Sequence, residues 1–192
     1  MDRTPETDRI CSDCWARALF AYGTATIFLK RSRKYKRLLQ WLGFVGIIVP
    51  LVIGGAVLGF GLQASYLPAL ITVAAALGLL QLGFSAWSIV FSWSDNLAYS
   101  LESAAENFTL SDGFKEMGSQ ALNPPADLEI RFAGIKAKDE ARRAADAKNG
   151  VTEKELRFGH RAGLRQFGRE CAGCKEVPQS MDSTDCAICG RF

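Results

Sequence analysis

Two closely spaced cysteine pairs stand near the end of this chain, in "CAGCKEVPQSMDSTDCAIC" from Cys171 to Cys189. A two-residue gap lets both thiolates of a pair turn toward one point. Cys171, Cys174, Cys186 and Cys189 thus supply the four tetrahedral ligands that a closed structural zinc site uses. The eleven-residue spacer is slightly short for the commonest zinc ribbons, but it can close a loop. It contains Pro178, Gln179, Ser180, Asp182, Ser183 and Thr184, turn formers rather than helix formers. Gly173 and Gly190 stand where a knuckle turn tolerates a positive φ. Four cysteine ligands leave no open coordination position, so the metal is expected to be structural. It would contribute most of the folding energy of a tail too short to build its own core. Two rival chemistries use the same residue types: structural disulfides, which require an oxidising compartment, and a redox dithiol, which requires low-pKa thiols.

The choice between them rests on where the tail lies. From Leu38 to Ser94 there is no Asp, Glu, Lys, Arg or His, a run of 57 residues. At about 1.5 Å per helical residue such a run far exceeds a hydrocarbon layer of about 30 Å, so two spans and a tight turn fit where one span does not. Gln63, Ser65, Tyr66 and Pro68 interrupt the run. One helix is expected near residues 40–62 and a second near 67–93. The first apolar segment starts too far in, and is too long, for a cleaved signal peptide. "KRSRKYKR", Lys30 to Arg37, holds six basic residues in eight positions just before the first span. Clusters of this kind stay on the cytoplasmic side. Two spans then bring the C-terminus back to the cytoplasm, where thiols stay reduced, which rejects structural disulfides.

Several residues within the spans suggest more than solubility in lipid. Gly55 and Gly59, with Gly54 beside them, allow helices to approach closely. That face is either the seam of the hairpin or a contact between copies. Pro50 removes a backbone hydrogen bond and is expected to kink the first span. Gln81, Ser85, Ser88 and Ser92 share one helical face of the second span. A polar stripe is costly against lipid, so it should face a helix or water. It either hydrogen-bonds across the hairpin or lines a pore in a homo-oligomer, since two helices alone cannot enclose one. Trp41, Trp87 and Trp93 are placed as interface anchors would be.

Residues 1–37 are expected to form an N-terminal helix running on into the hairpin of residues 38–94, with Ile10, Trp15, Leu19, Tyr22, Thr26 and Leu29 near one side. Cys11 and Cys14 make a third C-x₂-C pair there. The pair is either plainly buried or part of a metal or thiol site with another segment. Residues 95–122 read as a helical stalk, with Leu97, Leu101, Ala104, Ala105 and Phe108 on one side, packing back along the N-terminal helix. The two prolines Pro124 and Pro125 end it. Residues 123–169 read as a linker and a basic helical segment, and 170–192 as the tetracysteine tail. The expected fold class is therefore an all-α membrane protein: a two-helix hairpin, a helical stalk and a small Cys₄ zinc-binding tail.

Charge changes sign along the second half. Residues 95–130 hold seven acids and one lysine, and residues 131–169 hold eleven Lys/Arg against five acids. Arg157, Arg161, Arg165 and Arg169 recur every four residues, with the only histidine, His160, and the aromatics Phe158 and Phe167 among them. Such a ridge suits nucleic acid, with bases stacking on the aromatics. It equally suits anionic headgroups, a partner protein or a passive solvated face. No phosphate-binding glycine loop, triad or carboxylate pair is evident, so an enzyme is not expected.

The run from Gly159, His160 and Arg161 through Arg165, Gln166, Phe167, both cysteine pairs, Pro178 and Cys189-Gly190-Arg191-Phe192 resembles the mobilome CxxCx(11)CxxC proteins. These are small proteins of mobile elements, often encoded beside a reverse transcriptase. The first 120 residues resemble, by architecture, the two-transmembrane SLATT effector domains of bacterial conflict systems. The resemblance implies a toxic membrane effector of bacterial anti-phage defence; with the basic cluster before the first span, it is expected in the inner membrane with both termini cytoplasmic. Its control would come from a neighbouring component, the reverse transcriptase with its RNA or DNA product. Two functions follow as expectations: an oligomer that permeabilises or depolarises the membrane under control of a zinc-stabilised basic tail, or a membrane-anchored adaptor that holds a nucleoprotein or partner protein without making a pore.

Overall fold

The computed structural model describes residues 5–60, 65–120 and 127–192. Gln63, Pro124 and Pro125 lie outside the described residues. The described chain is all-α: α1 (Pro5–Phe60), α2 (Leu67–Val90), α3 (Trp93–Ser119), α4 (Leu128–Ala147) and α5 (Glu153–Phe167). Nothing after α5 is helical, and the cysteine tail is built of turns. The chain divides into two compact units, residues 31–99 and residues 1–30 with 100–192. α1 contributes to both, continuing through Pro50.

In the first unit, α1 and α2 are each long and apolar enough to cross a membrane. Pro68 sits in the first turn of α2, where its missing N–H is no loss. The outer surface carries exposed Ile47, Leu51, Leu58, Leu79, Leu82 and Ile89. A soluble protein rarely leaves so continuous an apolar surface uncovered. α2 ends at Val90 rather than continuing to residue 93. Ser92 has a φ of 47°, which an α-helix cannot continue, and the Asn96 side-chain amide donates to the Phe91 carbonyl at 2.9 Å.

The second unit packs α3, α4 and α5 around the start of α1. A buried stripe on α1 runs through Ile10, Cys14, Ala18, Ala21, Ala25 and Phe28. The stripe is made of small residues because the neighbouring backbones come close. The Ser111 hydroxyl donates to the Ala18 carbonyl at 2.9 Å, and Leu110, Phe114, Met117 and Leu128 complete the cluster. The larger side chains Trp15 and Tyr22 flank it and meet Phe167 edge-on. α5 crosses α1 backbone against backbone: a Cβ on Gly159 would lie 2.7 Å from the Gly23 carbonyl oxygen, and one on Gly163 would lie 2.7 Å from that of Leu19.

On α3 the buried face is polar where α4 covers it. Ser103 and Asn107 both donate to Asp146 at 2.8 Å. Arg142, itself buried, donates to Asp146 at 2.9 Å and to Glu106 at 2.8 Å. Asp139 is also buried and accepts from Arg17 of α1 at 2.6 Å and from Arg143 at 3.0 Å. The acidic and basic stretches of the sequence are thus partly each other's counterions, since Glu102, Glu106 and Glu116 of α3 face Arg142 and Arg131 of α4. Leu101, expected on the packed face of the stalk, is exposed instead.

Candidate metal centre

α5 is the element that positions the tail. Thr152 caps it through a reciprocal box with Glu155, whose backbone N–H donates to the Thr152 hydroxyl at 3.3 Å while its carboxylate accepts from the Thr152 N–H at 2.9 Å. Gly168 ends it in the left-handed conformation, and the Arg169 N–H closes back on the Leu164 carbonyl at 2.9 Å. This sharp stop turns the chain back along α5, so that Cys171 and Cys189 pack on Leu164 and Leu19.

Each cysteine pair sits on a tight turn. The Lys175 N–H donates to the Cys171 carbonyl at 2.8 Å, and the Gly190 N–H donates to the Cys186 carbonyl at 2.9 Å. The left-handed residues are not the glycines that the sequence suggests but Lys175 (φ 61°) and Arg191 (φ 55°). Gly190 is needed for another reason: a side chain there would collide with the Thr184 carbonyl. Gly173 packs against Ile188 and the Cys186 sulfur.

The two turns bring Cys171, Cys174, Cys186 and Cys189 together, with all four sulfurs within 4.8 Å of one another. Cys171 Sγ lies 3.8 Å from Cys186 Sγ, and Cys174 Sγ lies 3.8 Å from Cys189 Sγ. A tetrahedral ion with metal–sulfur bonds of about 2.3 Å sets sulfurs about 3.8 Å apart, whereas a disulfide needs about 2.05 Å. The cluster therefore fits a four-thiolate metal site, and among the described residues it is the one group with such a fit. The thiols are not equivalent. The Cys189 and Ile188 backbone N–H groups bring Cys186 down to about 6, while burial pushes Cys189 up to about 12. A cation at the centre would favour the thiolate at all four.

Arg161 ties this cluster to α5. It is buried, and its guanidinium donates to the Ser180 carbonyl at 2.8 Å, the Thr184 hydroxyl at 3.3 Å and the Cys189 carbonyl at 3.4 Å, with the Cys189 sulfur at 3.8 Å. Spacing alone could not separate Arg161 from the other arginines of the ridge, because the tail that claims it is not helical. The four arginines and His160 do not form one surface. Arg157 is half-buried, with its Nη1 3.7 Å from Glu153, and His160 is half-buried, its pKa lowered by desolvation. Arg165 and Arg169 are exposed. Cys11 and Cys14 do not belong to the cluster. Both are buried on α1, and burial, with the nearby Cys11 and Asp13, pushes the Cys14 thiol up to about 11.

The stripe of the second span divides as well. Gln81 turns onto Gly46 of α1, where a Cβ would strike its amide nitrogen, and Ser88 is buried. Ser85 is half-buried, and Ser92 is exposed in the break after α2.

The family described as Mobilome CxxCx(11)CxxC protein matches residues 11–192, from Cys11 through both apolar helices to the end of the tail. The chain belongs to this family. Membership therefore takes in all three cysteine pairs, Arg161 and the whole tetracysteine tail, not the final 36 residues alone. No curated protein and no solved structure matches the chain.

Proposed function

We propose that this member of the mobilome CxxCx(11)CxxC proteins is an oligomerising membrane effector of a bacterial defence system. It is anchored in the inner membrane by the α1–α2 hairpin, with both termini in the cytoplasm. It depolarises the cell when a partner, a reverse transcriptase with its RNA or DNA product, acts on the cytosolic helical unit. The observation that carries the proposal is an apolar hairpin whose outer face is open. Among the described residues nothing lies within 4 Å of where a side chain would stand at Gly54, Gly55 or Gly59, which leaves that face open to a second copy. Zinc, held by Cys171, Cys174, Cys186 and Cys189, folds the tail and through Arg161 fixes it to α5. Two successive long apolar helices, one able to enter a membrane and one to return, also support the likeness to SLATT effectors. In the resting hairpin Gln81 meets Gly46 and Ser88 is buried, and a conductive path needs these residues to re-pair between copies.

Expression of the full chain should depolarise bacteria, read with a potential-sensitive dye. Gln81→Leu should weaken the effect several-fold while the protein stays in the membrane. Undiminished depolarisation by an equally abundant Gln81→Leu protein would remove Gln81 from the path. A second reading, a membrane-anchored adaptor, is favoured by one observation: Gln81 and Ser88 are already accommodated within a single hairpin. Under that reading overexpression is harmless, and the full chain binds nucleic acid, through exposed Arg165 and Arg169, with a salt-dependent affinity.

A further inference from the structure

Most arginines of the helical unit are engaged within it: Arg9, Arg17, Arg131, Arg142, Arg143 and Arg157 have carboxylate partners and Arg161 holds the tail. The hairpin unit is different. Arg33, Lys34, Lys36 and Arg37 are all exposed, and none has an ion-pair partner among the described residues. At 3.6 residues per turn these four occupy one arc of α1, about 160° wide. Ser32, which is buried, and Tyr35, which is half-buried, fall outside it.

The same arc changes character along the helix. One turn beyond Arg37 it presents Trp41 and Phe44, both more than half exposed, with ring centroids 5.9 Å apart at 88°. Beyond them come exposed Ile47 and Leu51. Cations, then an aromatic pair, then aliphatic side chains follow one another on a single uncovered face. That order matches a phospholipid lying along the helix: phosphate, glycerol interface, acyl chain. Gly46 meets Gln81 across the hairpin, and the returning chain carries its own tryptophan, Trp93, just past the end of α2, a residue type favoured where headgroups lie.

We propose that this face of α1 is a binding site for an anionic phospholipid, with Arg33, Lys34, Lys36 and Arg37 holding its phosphate and Trp41 and Phe44 seating the glycerol region. The site rests on the proposed membrane hairpin but not on a pore, so a chain that fails to depolarise cells can still show the lipid preference, and the two readings fail separately. Lipid is favoured over nucleic acid because the cations and the apolar stripe form one continuous face.

The full chain is reconstituted into phosphatidylcholine vesicles containing a small fraction of brominated phosphatidylglycerol, or the same fraction of brominated phosphatidylcholine, and tryptophan quenching is compared. Brominated phosphatidylglycerol should quench at several-fold lower mole fraction, and the preference should shrink as salt is raised. The variant carrying Arg33→Gln, Lys34→Gln, Lys36→Gln and Arg37→Gln should lose the preference. A variant with Lys136→Gln, Lys138→Gln, Lys148→Gln and Lys154→Gln, equal in charge removed, should keep it. Equal quenching by the two lipids, a preference that survives the first variant, or one that disappears in the second would each overturn the site. So would abolition of the preference by a stoichiometric RNA oligonucleotide, which would reassign the cations to nucleic acid.

Discussion

Replacing Cys171 with serine should unfold the tail and loosen α5, while leaving the chain in the membrane. The tail has two short turns and little apolar core of its own, so its order is expected to depend on a bound metal. Structural zinc contributes on the order of 10 kcal/mol to such folds at neutral pH. The effect should spread through Arg161. Once the tail leaves, the Arg161 guanidinium loses the Ser180, Thr184 and Cys189 acceptors, and a hydrogen bond to a charged group is worth about 1.5–3 kcal/mol. Hydrogen exchange on the detergent-solubilised full chain checks this. Amides of residues 170–192 should lose nearly all protection, and those of α5 should lose about tenfold or more, the equivalent of about 1.4 kcal/mol. Amides of α2 should be unchanged. Chelation of the wild-type chain should reproduce the pattern. Full protection of the tail in Cys171→Ser would mean that the four cysteines are packing residues rather than ligands.

The second large effect should come from Asp146→Ala. Asp146 is the buried acceptor for Ser103, Asn107 and Arg142 at once. Removing one partner of a buried ion pair costs about 3–5 kcal/mol, because the remaining charge is left uncompensated. Arg142 keeps Glu106 at 2.8 Å, but that carboxylate is about half exposed, so the lower end, about 3 kcal/mol, is expected. Asp146→Asn preserves an acceptor and loses the charge, and should fall between. Glu116→Ala is the control: its contact with Arg131 is 3.8 Å long and well exposed, and such pairs are worth about 0–1 kcal/mol. Thermal unfolding of the full chain in detergent orders the three variants. An Asp146→Ala protein as stable as Glu116→Ala would show that the polar seam between α3 and α4 is not what holds α4.

What was legible in the sequence follows from which signals are local. The uncharged run from Leu38 to Ser94, Pro68 and the C-x₂-C spacing each act over a few neighbouring residues or through composition. The hairpin and the cysteine cluster could therefore be read directly. Packing inside the helical unit was less legible. Large apolar residues suggested a face through Trp15, Leu19 and Tyr22, but the buried stripe runs through Cys14, Ala18, Ala21 and Ala25. Close helix approach favours small residues, and small residues carry little hydropathic signal. The α3 face was obscured because it is buried through hydrogen bonds and charge, from Ser103 and Asn107 to Asp146. Arg161 looked like one step of a basic ridge. Only the folded tail, contacting it from residues 180–189, distinguishes it from exposed Arg165. Ser92 offered no sign of the break at the end of α2.

The most direct test of the metal centre is the zinc content of the full chain, purified in detergent without added metal and measured by elemental analysis beside quantitative amino-acid analysis. One zinc per chain in the wild type, falling close to zero in a Cys171→Ser, Cys186→Ser double variant, is the predicted result. A wild-type chain that carries no metal while its four tail thiols titrate as free, or are found paired in disulfides, would contradict it.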